Sequence, residues 1–205
     1  MIELYTWGTP NGKKASIMIE EVGLPYNVHP IRIMEGDQFK PDYIKINPNS
    51  KIPAIVDTEG PGGKPINIFE SGAILIYLAE KTGKLMSRDP ALRIETIEWL
   101  MFQMGGVGPM FGQAHHFLRQ VKEPNPYGAD RYSKETRRLY GVMNARLGQV
   151  PYLATDYSIA DIATYPWVSR YEWHQVDLAE FPNVKRWFDA ISARPAVQRG
   201  MKVPS

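Results

Sequence analysis

The apolar run Ile2-Glu3-Leu4-Tyr5-Thr6 reads as a strand, and within ten residues the spacing changes to Ala15, Met18, Ile19 and Val22, one face of a helix. Between them stands Thr9-Pro10-Asn11, where Pro10 suits a first helical turn and Thr9 or Asn11 suits the cap. A strand feeding a turn feeding a helix aims unpaired backbone N–H groups and the positive helix end at whatever lies above the turn. The helix ends near Gly23-Leu24-Pro25, and residues 26–31 read as a second strand. The β-α-β order predicts a parallel pair with a crossover. Residues 36–46 are polar and irregular, with helical turns around Gln38 and over 42–46. A turn over 47–51 leads to a third strand at 52–57, with Ile52-Pro53 a candidate cis bond. A glycine-rich loop returns through a fourth strand at 65–69, and Glu70-Ser71-Gly72 opens a helix through Lys81. That helix is apolar on most sides, so it is expected to be buried between layers.

Beyond Lys84 the alternation stops and helical spacing takes over. Pro90 opens a helix that keeps Ile94, Ile97, Met101 and Met104 in register, and Leu139, Val142, Met143 and Leu147 repeat the pattern. Ser158 and Asp161 fit a capping box, with Tyr157 and Ile162 placed to form the hydrophobic staple. A last helix is expected over 182–193, with Val184, Trp187, Phe188 and Ile191 on one face. The chain therefore divides into an α/β unit at 1–83, a linker at 84–89 and an all-helical unit at 90–205.

Composition narrows the function. A formal charge of +2 gives no global pull toward nucleic acid or membrane, and no apolar stretch is long enough to span a bilayer. The chain starts directly on a strand, without a signal peptide, which makes a cytoplasmic protein the expectation. The absence of cysteine excludes disulfides, zinc–thiolate sites and a cysteine nucleophile, so any thiol chemistry must use a thiol brought by the ligand. Gly105-Gly106-Val107-Gly108 lacks the following Gly-Lys-Ser/Thr of a phosphate loop and sits in a helical pattern, so its small residues are read as a kink or a close helix contact. His115 and His116 are adjacent and point about 100° apart on a helix, so they are read as packing or pocket-lining residues. No metal site is expected.

Lys51-Ile52-Pro53-Ala54-Ile55-Val56-Asp57 and Phe69-Glu70-Ser71-Gly72-Ala73-Ile74-Leu75-Ile76-Tyr77-Leu78 resemble the two glutathione-holding segments of the cytosolic glutathione transferases. The Ser158–Asp161 box is similar to that family's helix-capping signature, and the resemblance covers the whole chain. Thr9-Pro10-Asn11-Gly12, the 105–110 segment and Gln113-Ala114-His115-His116-Phe117 resemble the bacterial nu-class members and the Ure2-like fungal proteins. The resemblance implies a thioredoxin-like N-terminal domain, an all-α C-terminal domain, a homodimer, and glutathione-dependent disulfide-bond reduction more than conjugation. It also implies that Gln38 and Lys51 lie near the glycyl end of glutathione and that Arg131 is a further contact.

Glutathione carries two carboxylates, an ammonium group and a thiol, and the residues offer a partner for each. Ser71 at a helix start suits a carboxylate, and Glu70 suits the ammonium; ending an apolar run, Glu70 is read as a buried carboxylate that needs a partner. Ile52, before Pro53, offers N–H and C=O like an added edge strand. The thiol then points at Thr9 and Asn11. Lowering a thiol pKa of about 8.5 by about two units takes about 2.7 kcal/mol. A helix N-terminus supplies about 0.3–1 kcal/mol and a hydrogen bond to a charged group about 1.5–3, so the helix end plus the Thr9 hydroxyl or Asn11 amide suffices. Tyr5, on the strand, is read as a packing residue. Alternatives remain a transferase conjugating electrophiles and a non-catalytic glutathione-binding regulatory protein.

Overall fold

The computed structural model describes residues 1–204, in two compact units: Met1–Lys84 together with the segment from Arg194 onward, and Leu85–Ala193. In the first unit, β1 (Ile2–Thr6), α1 (Pro10–Val22) and β2 (Tyr26–Pro30) form the expected parallel crossover, with Ile2 paired to Tyr26 and Thr6 to Pro30. A short helix α2 (Pro41–Ile46) precedes β3 (Ala54–Asp57) and β4 (Ile66–Phe69), which close a four-stranded mixed sheet in the order β2-β1-β3-β4. β1 pairs antiparallel with β3, and β3 with β4. α3 (Ser71–Thr82) packs on α1, and both bury apolar residues against the sheet: Ile17, Met18, Ile74, Leu75 and Leu78 are inaccessible to solvent.

The third strand begins two residues later than its sequence suggests. Pro53 has no N–H to give to the ladder, so pairing starts at Ala54 and leaves Ile52 just outside it. The Ile52–Pro53 bond is cis. Periodicity also misses a six-residue helix, α9 (Pro195–Gly200), too short to show a pattern. It lies on α1, where a Cβ on Gly200 would sit 2.5 Å from the Ile17 Cα, and Ser16 Oγ donates to the Gly200 carbonyl at 2.7 Å. Ion pairs from Arg194 to Glu21 and Arg199 to Glu20 fasten the same segment.

The second unit holds α4 (Pro90–Phe102), α5 (Gly108–His115), α6 (Pro126–Leu147), α7 (Ile159–Val168) and α8 (Pro182–Ser192). Asp89 caps α4 through the Ala91 and Leu92 N–H groups, and Asn125 caps α6 through Gly128. The capping box of α7 forms as its sequence predicts: Ser158 Oγ accepts from Ala160, and Asp161 Oδ2 accepts from the Ser158 N–H at 2.9 Å. Every residue of α7 is buried, and Trp187 of α8 donates to Asp161 Oδ1 at 2.8 Å. Between α4 and α5 the helix widens over Gln103–Val107 into a π-turn. A Cβ on Gly108 there would lie 2.8 Å from Gln103 Nε2 and 3.4 Å from Trp167 Nε1, so the glycine serves close packing.

Candidate active site

Four stretches of the first unit carry all the sequence-identified site residues except Arg131, and each is held for a local reason. Thr9 caps α1 in extended geometry, its hydroxyl oxygen accepting from the Gly12 N–H at 3.2 Å. That leaves the hydroxyl hydrogen to be donated elsewhere. The first turn of α1 contains no acidic residue to offset its positive end, and it ends on Lys13 with Lys14 following. Asn11, half-buried, lies one residue beyond Pro10 in that turn. Gly12 is required here: a Cβ would meet the Trp7 carbonyl oxygen at 2.1 Å and Thr6 Oγ1 at 2.6 Å. Tyr5, on β1 beneath, stacks on His29 at 4.6 Å between ring centroids and packs beside Ile31, Tyr43 and Ala54, as a core residue does. Its hydroxyl pKa is raised by burial and by Glu3, which suits a phenol that stays protonated.

Ile52 is presented by a turn built around Asn47, which is almost wholly buried. Asn47 Nδ2 donates to the Lys51 carbonyl at 2.6 Å, Tyr43 OH donates to the same oxygen at 2.5 Å, and Asn47 Oδ1 accepts from the Asn49 N–H at 2.9 Å. Ser50, at φ 53°, completes the turn. The Lys51 side chain is exposed, and the Ile52 side chain packs on the cluster of Ile31, Tyr43 and Ala54. Neither Asn47 nor Tyr43 was singled out by sequence; the Asn-Pro-Asn turn was the available signal.

Glu70 corrects the sequence-based expectation. Its side chain is exposed rather than buried, and it is a non-glycine residue at φ 68°, ψ 116°. Such a backbone costs about 1–3 kcal/mol and persists where the surroundings impose it, commonly at ligand clamps. The conformation sets the carboxylate beside the first turn of α3, where Asn49 Nδ2 donates to it at 3.3 Å. Ser71, the next residue and the first of α3, is only 5% exposed.

Lys14, which sequence reasoning missed, reaches Ser71 from α1. Its Nζ donates to Ser71 Oγ at 3.2 Å, and the residue is 1% exposed. Burial pushes the ammonium pKa down to about 7, opposed by the nearby negative charge of Glu70. The available signal was a lysine inside the apolar stripe of Ala15, Met18, Ile19 and Val22.

The remaining sequence-identified residues are placed differently. Gln38 is half-buried in a 3₁₀ turn, donating from Nε2 to the Ile33 carbonyl at 3.1 Å. Its Oε1 is buried without a hydrogen-bond partner. Arg131 belongs to the second unit. It is exposed on α6 and lines a cavity of about 650 Å³ with Met110, Tyr127, Tyr132, Glu135 and Arg138. His115 is buried and stacks on His174 at 4.5 Å, a packing role, whereas His116 is exposed. No group of three or more His, Cys, Asp or Glu side chains that could hold a metal ion occurs among the described residues. No helix among them is long and apolar enough to cross a membrane.

A cysteine-free mixed sheet with a capped α1, a proline-preceded β3 and a strained residue ahead of α3 invites comparison with known proteins. The family model described as "Glutathione S-transferase, N-terminal domain" matches residues 9–81, and "Glutathione S-transferase, C-terminal domain" matches residues 108–195. The chain belongs to the glutathione S-transferase family. Among relatives of this glutathione S-transferase, disulfide-bond oxidoreductase YfcG of Escherichia coli (strain K12) is 47% identical over 203 residues, covering 98% of this chain and 94% of that one. The crystal structure of a Pseudomonas putida glutathione transferase with one glutathione disulfide bound per subunit is 47% identical, with a TM-score of 0.96 over 100% of this chain and 92% of that one. A Burkholderia graminis glutathione transferase with two glutathione molecules bound per subunit is 50% identical, with a TM-score of 0.94 over 100% and 88% of the two chains.

Proposed function

We propose that this glutathione S-transferase is a glutathione-dependent disulfide-bond reductase in which Thr9 and Asn11 serve the thiol. The observation that carries the proposal is a chain without cysteine whose relative at 47% identity is named a disulfide-bond oxidoreductase. The nucleophile must then be the thiol of glutathione. Ser71 and the N-terminus of α3 receive the γ-glutamyl carboxylate, and Glu70 receives its ammonium. Ile52 pairs with the cysteinyl main chain beside Pro53. Gln38 and Lys51 serve the glycyl end, and Arg131 is a further contact. The Thr9 hydroxyl, already oriented by accepting from Gly12, donates to the thiolate together with the Asn11 amide. With the positive end of α1 these groups supply the about 2.7 kcal/mol that two pKa units require.

The exchange balances in two steps. The thiolate attacks one sulfur of the disulfide, forming a mixed disulfide while the other half leaves as a thiolate and takes a proton. A second glutathione thiolate attacks that mixed disulfide, giving glutathione disulfide and the second free thiol. Two glutathiones are oxidised and one disulfide is reduced.

We read the protein as a cytoplasmic homodimer of the nu-class type, with residues 1–83 as the glutathione-binding domain, 84–89 as a linker and 90–205 as the helical domain, whose final segment from Arg194 packs back on the first unit. Elution at monomer size in gel filtration would count against the dimer. The catalytic assignment is tested by Thr9→Ala, Asn11→Ala and the double variant, assayed with glutathione against a model disulfide and, in parallel, an aryl halide. Loss of one charge-assisted hydrogen bond should lower reductase turnover by about 10- to 100-fold per residue. Unchanged turnover in the double variant removes Thr9 and Asn11 from the mechanism. Conjugation without reduction in the wild type identifies a transferase, and inactivity toward both identifies a glutathione-binding regulatory protein.

A further inference from the structure

Lysine is among the residues least often buried, and Lys14 is placed where elementary electrostatics disfavours it. A helix N-terminus favours anions, yet the Lys14 ammonium lies in hydrogen-bond contact with the first residue of α3, Ser71. Two positive features, the ammonium and the helix end, are therefore superposed in a region that excludes water, where charges are screened least. The exposed Glu70 carboxylate stands next to them, held outward by its φ of 68°. Positive and negative thus alternate over a single peptide unit. This is the complement of an α-amino-acid head, whose carboxylate and ammonium are separated by one carbon.

We infer that Lys14 is a positioning and specificity residue, acting through Ser71 to select ligands whose γ-glutamyl end retains its α-carboxylate. The inference rests on the glutathione reading and adds to it a residue with no access to solvent. Lys14 fixes the Ser71 hydroxyl by donating to its oxygen and raises the positive potential at the start of α3. Burial brings the ammonium pKa down to about 7 against the raising effect of Glu70, because the buried charge gives up solvation at this place. A bound carboxylate would return part of that loss.

The test pairs protein and ligand changes, read as Kd by isothermal titration calorimetry. The ligands are S-methylglutathione, whose thiol is blocked, and its analogue with 4-aminobutyryl in place of γ-glutamyl, which lacks only the α-carboxylate. Lys14→Met should weaken S-methylglutathione by about 10- to 100-fold, the effect of losing a charge-assisted contact, and change the analogue by no more than about twofold. In a Ser71→Ala background the same substitution should add little, and Lys14→Arg should restore part of the discrimination. Equal weakening of both ligands in Lys14→Met, or no weakening of S-methylglutathione, overturns the inference. Lys14→Gln, which keeps a donor and removes the charge, gives the same comparison should Lys14→Met not fold. Failure of the wild type to bind S-methylglutathione at all would instead overturn the glutathione reading beneath it.

Discussion

Gly12→Ala sets two known effects against each other in the first turn of α1. Helix propensity favours alanine over glycine by about 1 kcal/mol in a helix interior. Packing opposes it: the new Cβ would lie 2.1 Å from the Trp7 carbonyl oxygen and 2.6 Å from the buried Thr6 Oγ1. Neither neighbour rotates away easily, since one is backbone and the other is a β-branched side chain at the end of β1. Overpacking of this kind costs about 1–3 kcal/mol, and the backbone contact puts it at the upper end. The net expectation is destabilisation by about 2 kcal/mol, a melting temperature about 4–8 °C lower for a chain of this size. The clash is relieved by moving the start of α1 outward by roughly 1 Å, which carries Thr9, Pro10 and Asn11 with it. A displacement of that size at a reacting group costs about 100-fold in rate. Thermal denaturation by circular dichroism, Kd for S-methylglutathione and reductase turnover together check the reasoning. The expected pattern is a lower melting temperature, turnover reduced by about 100-fold and a Kd changed by only a fewfold, because the Ile52 and Ser71 contacts stay in place. A melting temperature equal to or above wild type with full turnover would refute it.

Asp161→Asn is expected to destabilise the helical unit. Oδ1 accepts from the Leu153 N–H at 2.9 Å and Trp187 Nε1 at 2.8 Å, while Oδ2 accepts from the Ser158 N–H at 2.9 Å and Ser158 Oγ at 3.1 Å. An amide turns its NH₂ toward one of those pairs, leaving buried donors unmatched at about 1–3 kcal/mol each. A loss of about 3 kcal/mol, seen as a melting temperature about 6–12 °C lower, is the expected result. The helical unit should also lose stability in acid. Burial, then Arg170 and Arg119, pushes the His115 pKa down to about 4, and burial, then His115 and Arg170, takes His174 to about 2. The unfolded chain takes up these protons near pH 6.5 and the folded chain does not. The contribution is therefore complete above that value and is lost as pH falls toward about 4 for His115 and further for His174. Denaturant midpoints at pH 7 and pH 5 should differ less in His115→Leu than in wild type, and an equal drop in both would assign the acid loss elsewhere.

Strand, helix and cap signals are local, and the sequence by itself carried them: β1, the start of α1 at Pro10, the start of α4 at Pro90 and the Ser158–Asp161 box all lie where spacing places them. Thr9 and Ser71 were legible for the same reason, because a helix start is written in the few residues around it. The other features depend on which elements meet. The exposure of Glu70 and its φ of 68° follow from how α3 leaves β4, a geometry that apolar patterning does not encode. The value of Gly12 lies in the close approach of α1 to the end of β1, and that of Asn47 in a turn it closes from within. Lys14 is the strongest case. By sequence it is one more lysine in a helix, and only the packing of α1 on α3 removes its solvent and delivers its ammonium to Ser71. Burial is a property of neighbours distant in the chain, so the sequence shows a lysine within an apolar stripe but not the Ser71 hydroxyl it meets.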